Sequence, residues 1–276
     1  MLFGITIRMI SAGENHTLAI SSRGDIFSWG SDRFGQLGYG GGDAGKGSFI
    51  PLKIENLKKS IVVAIAAGDT HSVCFTDIGE IYSWGSNKEG QLGIPPLEIG
   101  AGIGGGPGVS VPKRVYIRGG KNVTKNRAEN RFQAVTITCP LLQIVASRCS
   151  TLLLCHPEDY ENNVKGYRAG MRASTVNEVY QWGHGSPYPN RVQFSRKLNA
   201  SGTGQGTKDR DYLVDRFFSN VTASAVNIVQ LSAGLNHNVA LSSTGHVYTW
   251  CVPKSQNYFY MHYNDDFLVQ NLIIFE

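Results

Sequence analysis

The sequence predicts an all-β protein made of short antiparallel strands, arranged as about four related modules that stack side by side. Three observations carry this. Glycine makes up 33 of the 276 residues, about 12% against a usual ~7%. A phrase of about twenty residues recurs, with histidine and tryptophan 13 positions apart in three copies: His16 and Trp29, His71 and Trp84, His237 and Trp250. No segment sustains a helical 3.6-residue period. Proline is not raised alongside glycine and no every-third-residue glycine exists, so collagen and simple disorder are poor explanations. Many turns between many strands is the better one.

The first copy runs from Ile10 to Gly30, the second from Ile65 to Gly85 and the last from Leu231 to Cys251. Each opens on an apolar run that stops at glycine (Gly13, Gly68, Gly234). A β-prone run then begins at or just after the histidine. The strings S-S-R-G, T-D-I-G and S-S-T-G supply the next turn. Gly24, Gly79 and Gly245 there are free to take φ > 0, as a tight hairpin requires. A strand ending in an aromatic residue, one further residue and Trp follows, closed by Gly30 and Gly85 in two copies. Two copies go on to G-Q-L-G, at Gly35–Gly38 and Gly90–Gly93.

A degenerate copy lies between them. Ile144–Leu154 matches the first half, with Ser147 for the glycine and Ser150 for the histidine, and Val179–Gly183, with Trp182 and Gly183, matches the second. An insertion rich in charge and glycine, residues 155–178, separates the halves. The expected organisation is modules at about 1–60, 61–135, 136–222 and 223–251, then a divergent tail, 252–276. A small sheet of this kind cannot bury both faces alone and must stack on its neighbours. Burying one tryptophan removes roughly 150–250 Å² from water, so the tryptophans are expected to be structural.

These residues resemble the regulator of chromosome condensation family, whose hallmark is A-G-x-x-H-(S/T), then G-x-(V/I)-(Y/F)-x-W-G, then G-Q-L-G. The resemblance covers most of residues 7–93 and 141–251. It implies a β-propeller of four-stranded blades, seven in a complete ring. Four visible blades make a partial or open propeller with edge strands at both ends. Self-association is expected of such edges, and the chain is expected to be a shortened form of a longer protein. With one tryptophan per repeat, the tryptophan clusters of the related plant ultraviolet photoreceptors are missing.

The repeated histidines read as structural, not catalytic, because equal positions in successive modules are spread apart. Each is expected to hydrogen-bond across its own hairpin. Gly40–Lys46 mimics a phosphate-binding loop, but Gly47 stands where Ser or Thr should hold magnesium. Gly100–Gly105 fits G-x-G-x-x-G among Pro95, Pro96 and Pro107, with no βαβ unit around it. Both read as inter-strand loops. The five cysteines show no C-x-x-C spacing, and Cys149, Cys155 and His156 are a poor zinc site. Neither a cofactor, a metal nor a small-molecule substrate is expected. Whether the chain regulates an enzyme is left open, with no covalent chemistry of its own expected.

Reduced thiols fit a cytoplasmic or nuclear setting. No run of apolar residues is long enough to cross a membrane as a helix, and the start lacks the order of a signal peptide. The sequons at Asn15, Asn122, Asn199 and Asn220 then read as chance matches.

Two segments stand out as interaction loops. Residues 113–131 carry Lys113, Arg114, Arg118, Lys121, Lys125, Arg127 and Arg131 against Glu129 alone, although the whole chain is only +5. Such a loop suits an acidic protein patch and, more weakly, nucleic acid or chromatin. The insertion offers Glu158, Asp159 and Glu161. The expected function is a protein-binding scaffold or adaptor, since loops on a rigid frame carry recognition. The alternative that the resemblance implies is a guanine-nucleotide releasing factor for a small GTPase, with the insertion disturbing the nucleotide pocket.

Overall fold

The computed structural model describes residues 2–40, 46–57, 60–94, 108–115, 141–156, 176–184, 186–194, 226–251, 267–268 and 273–275. They form four sheets in chain order. The first holds β1 (Ile7–Ala12), β2 (His16–Ser21), β3 (Ile26–Gly30) and β4 (Ser48–Lys53); the second holds β5 (Val62–Ala67), β6 (His71–Thr76), β7 (Ile81–Gly85) and β8 (Val109–Arg114). The third holds β9 (Leu141–Ala146), β10 (Ser150–Cys155), β11 (Glu178–Gly183) and β12 (Ser186–Gln193), and the fourth β13 (Ile228–Ala233), β14 (His237–Ser242) and β15 (Val247–Cys251). Each is an antiparallel meander. A single 3₁₀ turn, Glu55–Leu57, is the only helix among the described residues.

The residues set apart as a divergent tail contribute two short strands. Ile273–Phe275 (β17) pairs with β15 and becomes the fourth strand of the last sheet, and Phe267–Leu268 (β16) runs parallel to β12. Sequence pattern missed this because β17 is separated from β15 by more than twenty residues and carries no repeat signature.

Turn chemistry fixes the register. In the 21–25 turn, Gly24 N–H donates to the Ser21 carbonyl at 3.0 Å and Asp25 N–H to Ser21 Oγ at 3.1 Å; Thr76 and Ser242 do the same in their sheets. Gly24, Gly79 and Gly245 sit at φ +85, +82 and +84, a region other residues enter at a cost.

Alternation along each strand sends one set of side chains to the preceding sheet and the other to the following one. Leu18, Ile20 and Ile26 of the first sheet meet Ile65, Cys74 and Trp84 of the second. Val73, Phe75 and Ile81 of the second meet Ile144, Leu153 and Trp182 of the third. Leu152, Leu154 and Val179 of the third meet Leu231, Ala240, Tyr248 and Trp250 of the fourth. Three apolar layers therefore join four blades, and both faces of the two middle sheets are buried. Burial also raises the Cys74 thiol well above its ordinary range.

Candidate interaction faces

The polar contacts at the first two joints repeat. His16 Nε2 lies 2.9 Å from Ser72 Oγ on the next blade, and Ser72 Oγ donates to the Gln36 carbonyl at 2.8 Å. At the second joint His71 Nε2 lies 2.9 Å from Thr151 Oγ1, which donates to the Gln91 carbonyl at 3.1 Å. Because each hydroxyl proton is committed to a carbonyl, the hydroxyl oxygen must accept from the imidazole. Both rings are therefore the Nε2–H tautomer. Nδ1 of each is buried without a partner. A proton there would be a buried cation with no acceptor, and burial holds the pKa at about 4 for His16 and about 3 for His71.

This corrects the expectation that the imidazole bonds across its own hairpin. The backbone does that: Gly13 N–H donates to the His16 carbonyl at 2.8 Å, and Gly68 N–H to that of His71 at 2.9 Å. The ring instead reaches forward to the next blade, while tryptophan reaches back. Trp84 Nε1–H donates to the Gln36 carbonyl at 2.8 Å, so that one carbonyl of the G-Q-L-G turn accepts from both the indole and the Ser72 hydroxyl of the second blade.

The third joint is built differently, and two substitutions explain why. A Cβ on Gly13 or Gly68 would collide with the imidazole three residues on and with the backbone of the following blade. Glycine and histidine are therefore sterically coupled. In the third blade both change together: Ser147 and Ser150 bond each other at 2.8 Å, and Asn238, facing the lost imidazole, keeps a buried Nδ2 without a partner. Other contacts stitch this joint. Gln143 exchanges two bonds with the Leu231 backbone, at 2.8 and 2.7 Å, and Trp250 Nε1–H donates to Gln181 Oε1 at 2.8 Å. Phe194 packs edge-on against Tyr248 and Trp250.

Strand pairing assigns every loop to one of two rims. His16 opposite Gly30, and Gly30 opposite Ser48, place the A-G-x-x-H turns and the G-Q-L-G loops on one rim. There Phe34 lies beneath Arg33 and Lys88, 5.5 and 5.2 Å from its ring centre. The glycine-rich strings that mimic nucleotide loops leave from this rim and lie mostly outside the described residues. The hairpin turns and the blade-to-blade crossings occupy the opposite rim. The strands flanking 116–140, 157–175 and 195–225 all end there.

Of the candidate interaction residues, Lys113 is exposed at the end of β8 on that hairpin rim. Arg114 beside it is paired with Glu80 at 3.1 Å. Arg118, Lys121, Lys125, Arg127, Arg131, Glu158, Asp159 and Glu161 lie outside the described residues. Glu80 belongs to a repeated device that sequence reasoning missed. The acid following the turn pairs with a base on the outer strand: Asp25 with Lys53 at 2.5 Å, Glu80 with Arg114, and Glu178 with Arg191 at 3.0 Å. Tyr82 and Tyr180 hydroxyls donate to Glu80 and Glu178 at 2.8 Å. The signal was present as (D/E)-(I/V)-(F/Y), after glycine in the first two sheets and after Asn177 in the third, but the basic partner varies in distance along the chain. Among the described residues no group of three His, Cys, Asp or Glu gathers as metal ligands, and no helix is long and apolar enough to cross a membrane.

Four meanders stacked in chain order through buried tryptophans define a β-propeller repeat protein. Two models of the Regulator of chromosome condensation (RCC1) repeat match, at residues 23–75 and 79–128 and at 7–36, 62–91 and 228–250, together just over half of the chain. The chain belongs to this RCC1 repeat family.

It is 26% identical over 264 residues to Ultraviolet-B receptor UVR8 of Arabidopsis thaliana, covering 90% of this chain and 54% of the receptor. It is 41% identical over 92 residues to human RCC1 domain-containing protein 1, covering 33% of this chain and 24% of that protein. The chain thus spans about half or less of the curated relatives it matches. Among solved structures it resembles Prp20p of Saccharomyces cerevisiae, described with its binding to Gsp1p and histones. The TM-score is 0.54 at 19% identity, over 91% of this chain and 46% of that one. Human WBSCR16 matches equally, at TM-score 0.54 and 15% identity, over 90% of this chain and 48% of that one. At these identities the likeness is of fold.

Proposed function

We propose that the protein is an interaction scaffold whose recognition surface is the hairpin rim, and that it binds a protein partner with an acidic face. The RCC1-type propeller supports an interaction role in general, and one observation favours this rim. The strands flanking the segments 116–140, 157–175 and 195–225 all end there, and those segments hold 13 of the 26 Lys and Arg residues against 7 of the 21 Asp and Glu. The rest of the chain sums to about neutral, so these three segments carry the net positive charge of the sequence. A rigid frame beneath such loops limits the ordering cost of binding. Reduced Cys74, Cys149 and Cys155 suit a nuclear or cytoplasmic setting.

The test replaces Lys113, Arg118, Lys121, Lys125, Arg127 and Arg131 by Gln and compares the proteins retained by parent and variant on an affinity matrix. Loss of retained partners, with unchanged melting, supports the rim. The same partners on both would remove it.

Guanine-nucleotide release on a small GTPase is the second reading. The family resemblance carries it, and the insertion carrying Glu158, Asp159 and Glu161 leaves from the same rim. Release of labelled GDP from a panel of small GTPases, with and without the chain, separates the two readings.

A further inference from the structure

The two G-Q-L-G loops are braced alike but carry different tips. In the first, Phe34 N–H donates to Gln36 Oε1 at 2.8 Å and Leu37 N–H to Asp32 Oδ1 at 2.8 Å. In the second, Glu89 N–H donates to Gln91 Oε1 at 2.8 Å and Leu92 N–H to Asn87 Oδ1 at 3.0 Å. Gln36 and Gln91 are buried, so both turns are held from inside. Glu89 fills the place of Phe34 in an otherwise equal turn, so the loop itself does not require an aromatic residue there. The apolar layers do not require it either: Phe34 is half-buried and belongs to none of the core clusters of the described residues. What the ring contacts is charge. Arg33 of its own loop and Lys88 of the next blade, both exposed, stand 5.5 and 5.2 Å from its centre. The face of an aromatic ring attracts cations, and here it holds two of them within roughly a Debye length, ~10 Å, of each other. Among the described residues neither cation is in an ion pair.

We infer that Arg33, Phe34 and Lys88 form a second binding site, on the rim opposite the hairpin turns, for a short peptide segment of a partner in which an acidic residue adjoins an apolar one. A carboxylate between Arg33 and Lys88 relieves the repulsion of the two like charges and accepts charge-assisted hydrogen bonds from both. The apolar neighbour covers the exposed part of the ring, and aromatic and arginine side chains are the types that dominate binding at interfaces. Because the turn is already braced, little order is lost on binding. The other charges of this rim limit the ligand. Glu14 and Glu89 are exposed there and Asp69 is half-buried, with its carboxyl raised by burial and by Glu14. A nucleic-acid backbone needs a row of cations and would meet these acids, whereas one carboxylate fitted between two cations does not. The site shares no residue with the hairpin rim and does not depend on the function proposed for that rim.

The test titrates the end-blocked peptide Leu-Glu-Glu-Leu, to millimolar concentration, into the whole nitrogen-15-labelled chain and follows amide chemical shifts; Leu-Gln-Gln-Leu is the control. The expected result is saturable shifts centred on residues 33–35 and 88–89 with the acidic peptide and none with its Gln counterpart. Arg33→Gln combined with Lys88→Gln weakens binding at least tenfold. Phe34→Glu copies the second loop, so the turn is kept, and binding is lost. Circular dichroism checks that each variant folds. The variant with Gln at Lys113, Arg118, Lys121, Lys125, Arg127 and Arg131 binds the peptide as the parent does, which separates this site from the hairpin rim. Absence of saturable shifts with the acidic peptide, or equal shifts with both peptides, would overturn the inference. So would unchanged binding by Phe34→Glu and by the Arg33–Lys88 double variant, or loss of binding in the hairpin-rim variant.

Discussion

Acidification from about pH 7.5 to about pH 5 is expected to remove roughly 4 kcal/mol of folding stability, and two imidazoles account for it. His16 and His71 are buried as neutral rings, with pKa values of about 4 and about 3 against 6.5 for a solvated histidine. Between 6.5 and the folded values the unfolded chain binds more protons than the native one, so stability rises with pH. The contribution is complete above about pH 6.5 and is lost as pH falls towards about 4 and 3. At about pH 5 each ring contributes a loss of about 2 kcal/mol, from 1.36 kcal/mol per pH unit. His184, lowered to about 4 by burial, acts in the same direction, but its partial exposure reduces its share. Asp69, raised by burial and by Glu14, acts in the opposite sense at lower pH, which is why the comparison stops at about pH 5.

The assay is urea unfolding at the two pH values. With a slope of about 1–3 kcal/mol per molar, the midpoint should fall by about 1–4 M. His71→Ser should lower stability at neutral pH and shrink the pH-dependent part by about half. Equal midpoints at both pH values, or an unchanged pH dependence in His71→Ser, would refute the reasoning.

Two further perturbations probe the joints. Trp84→Ala removes a fully buried indole and its bond to the Gln36 carbonyl; a cost of about 3–5 kcal/mol is expected, read as a large fall in melting temperature or loss to aggregation. Ser150→His alone should destabilise the third blade, because the ring meets the Ser147 side chain, whereas Ser147→Gly with Ser150→His should recover at least about 1 kcal/mol relative to the single variant. Additive effects in a double-mutant cycle of chemical melts would show that the two positions are not coupled.

The fold was legible because its main interactions are local and repeated. Trp84, Gly79 and Gly85 announce a hairpin through residue type and spacing, and a phrase repeated three times implies neighbours of like shape. What lay hidden was direction. Nothing in A-G-x-x-H says whether the imidazole turns to its own hairpin or crosses to Ser72 or Thr151, since those hydroxyls are 56 and 80 residues away in sequence. Ser147 and Ser150 were visible as departures, but their steric coupling needs the distance between a glycine Cα and a ring. Arg114 read as part of a basic loop because composition cannot show that Glu80 already holds it. The interaction segments were legible as composition alone, and strand pairing adds that they leave from one rim.

The central claim is that histidine on one blade donates through a hydroxyl on the next. Nitrogen-detected magnetic resonance of the imidazoles reads this directly in the folded chain. The account predicts two rings, assigned by His16→Ser and His71→Ser, locked as Nε2–H tautomers and showing no protonation between about pH 7.5 and about pH 5. Either ring as the Nδ1–H tautomer, or either one titrating as a solvated histidine does, would contradict it.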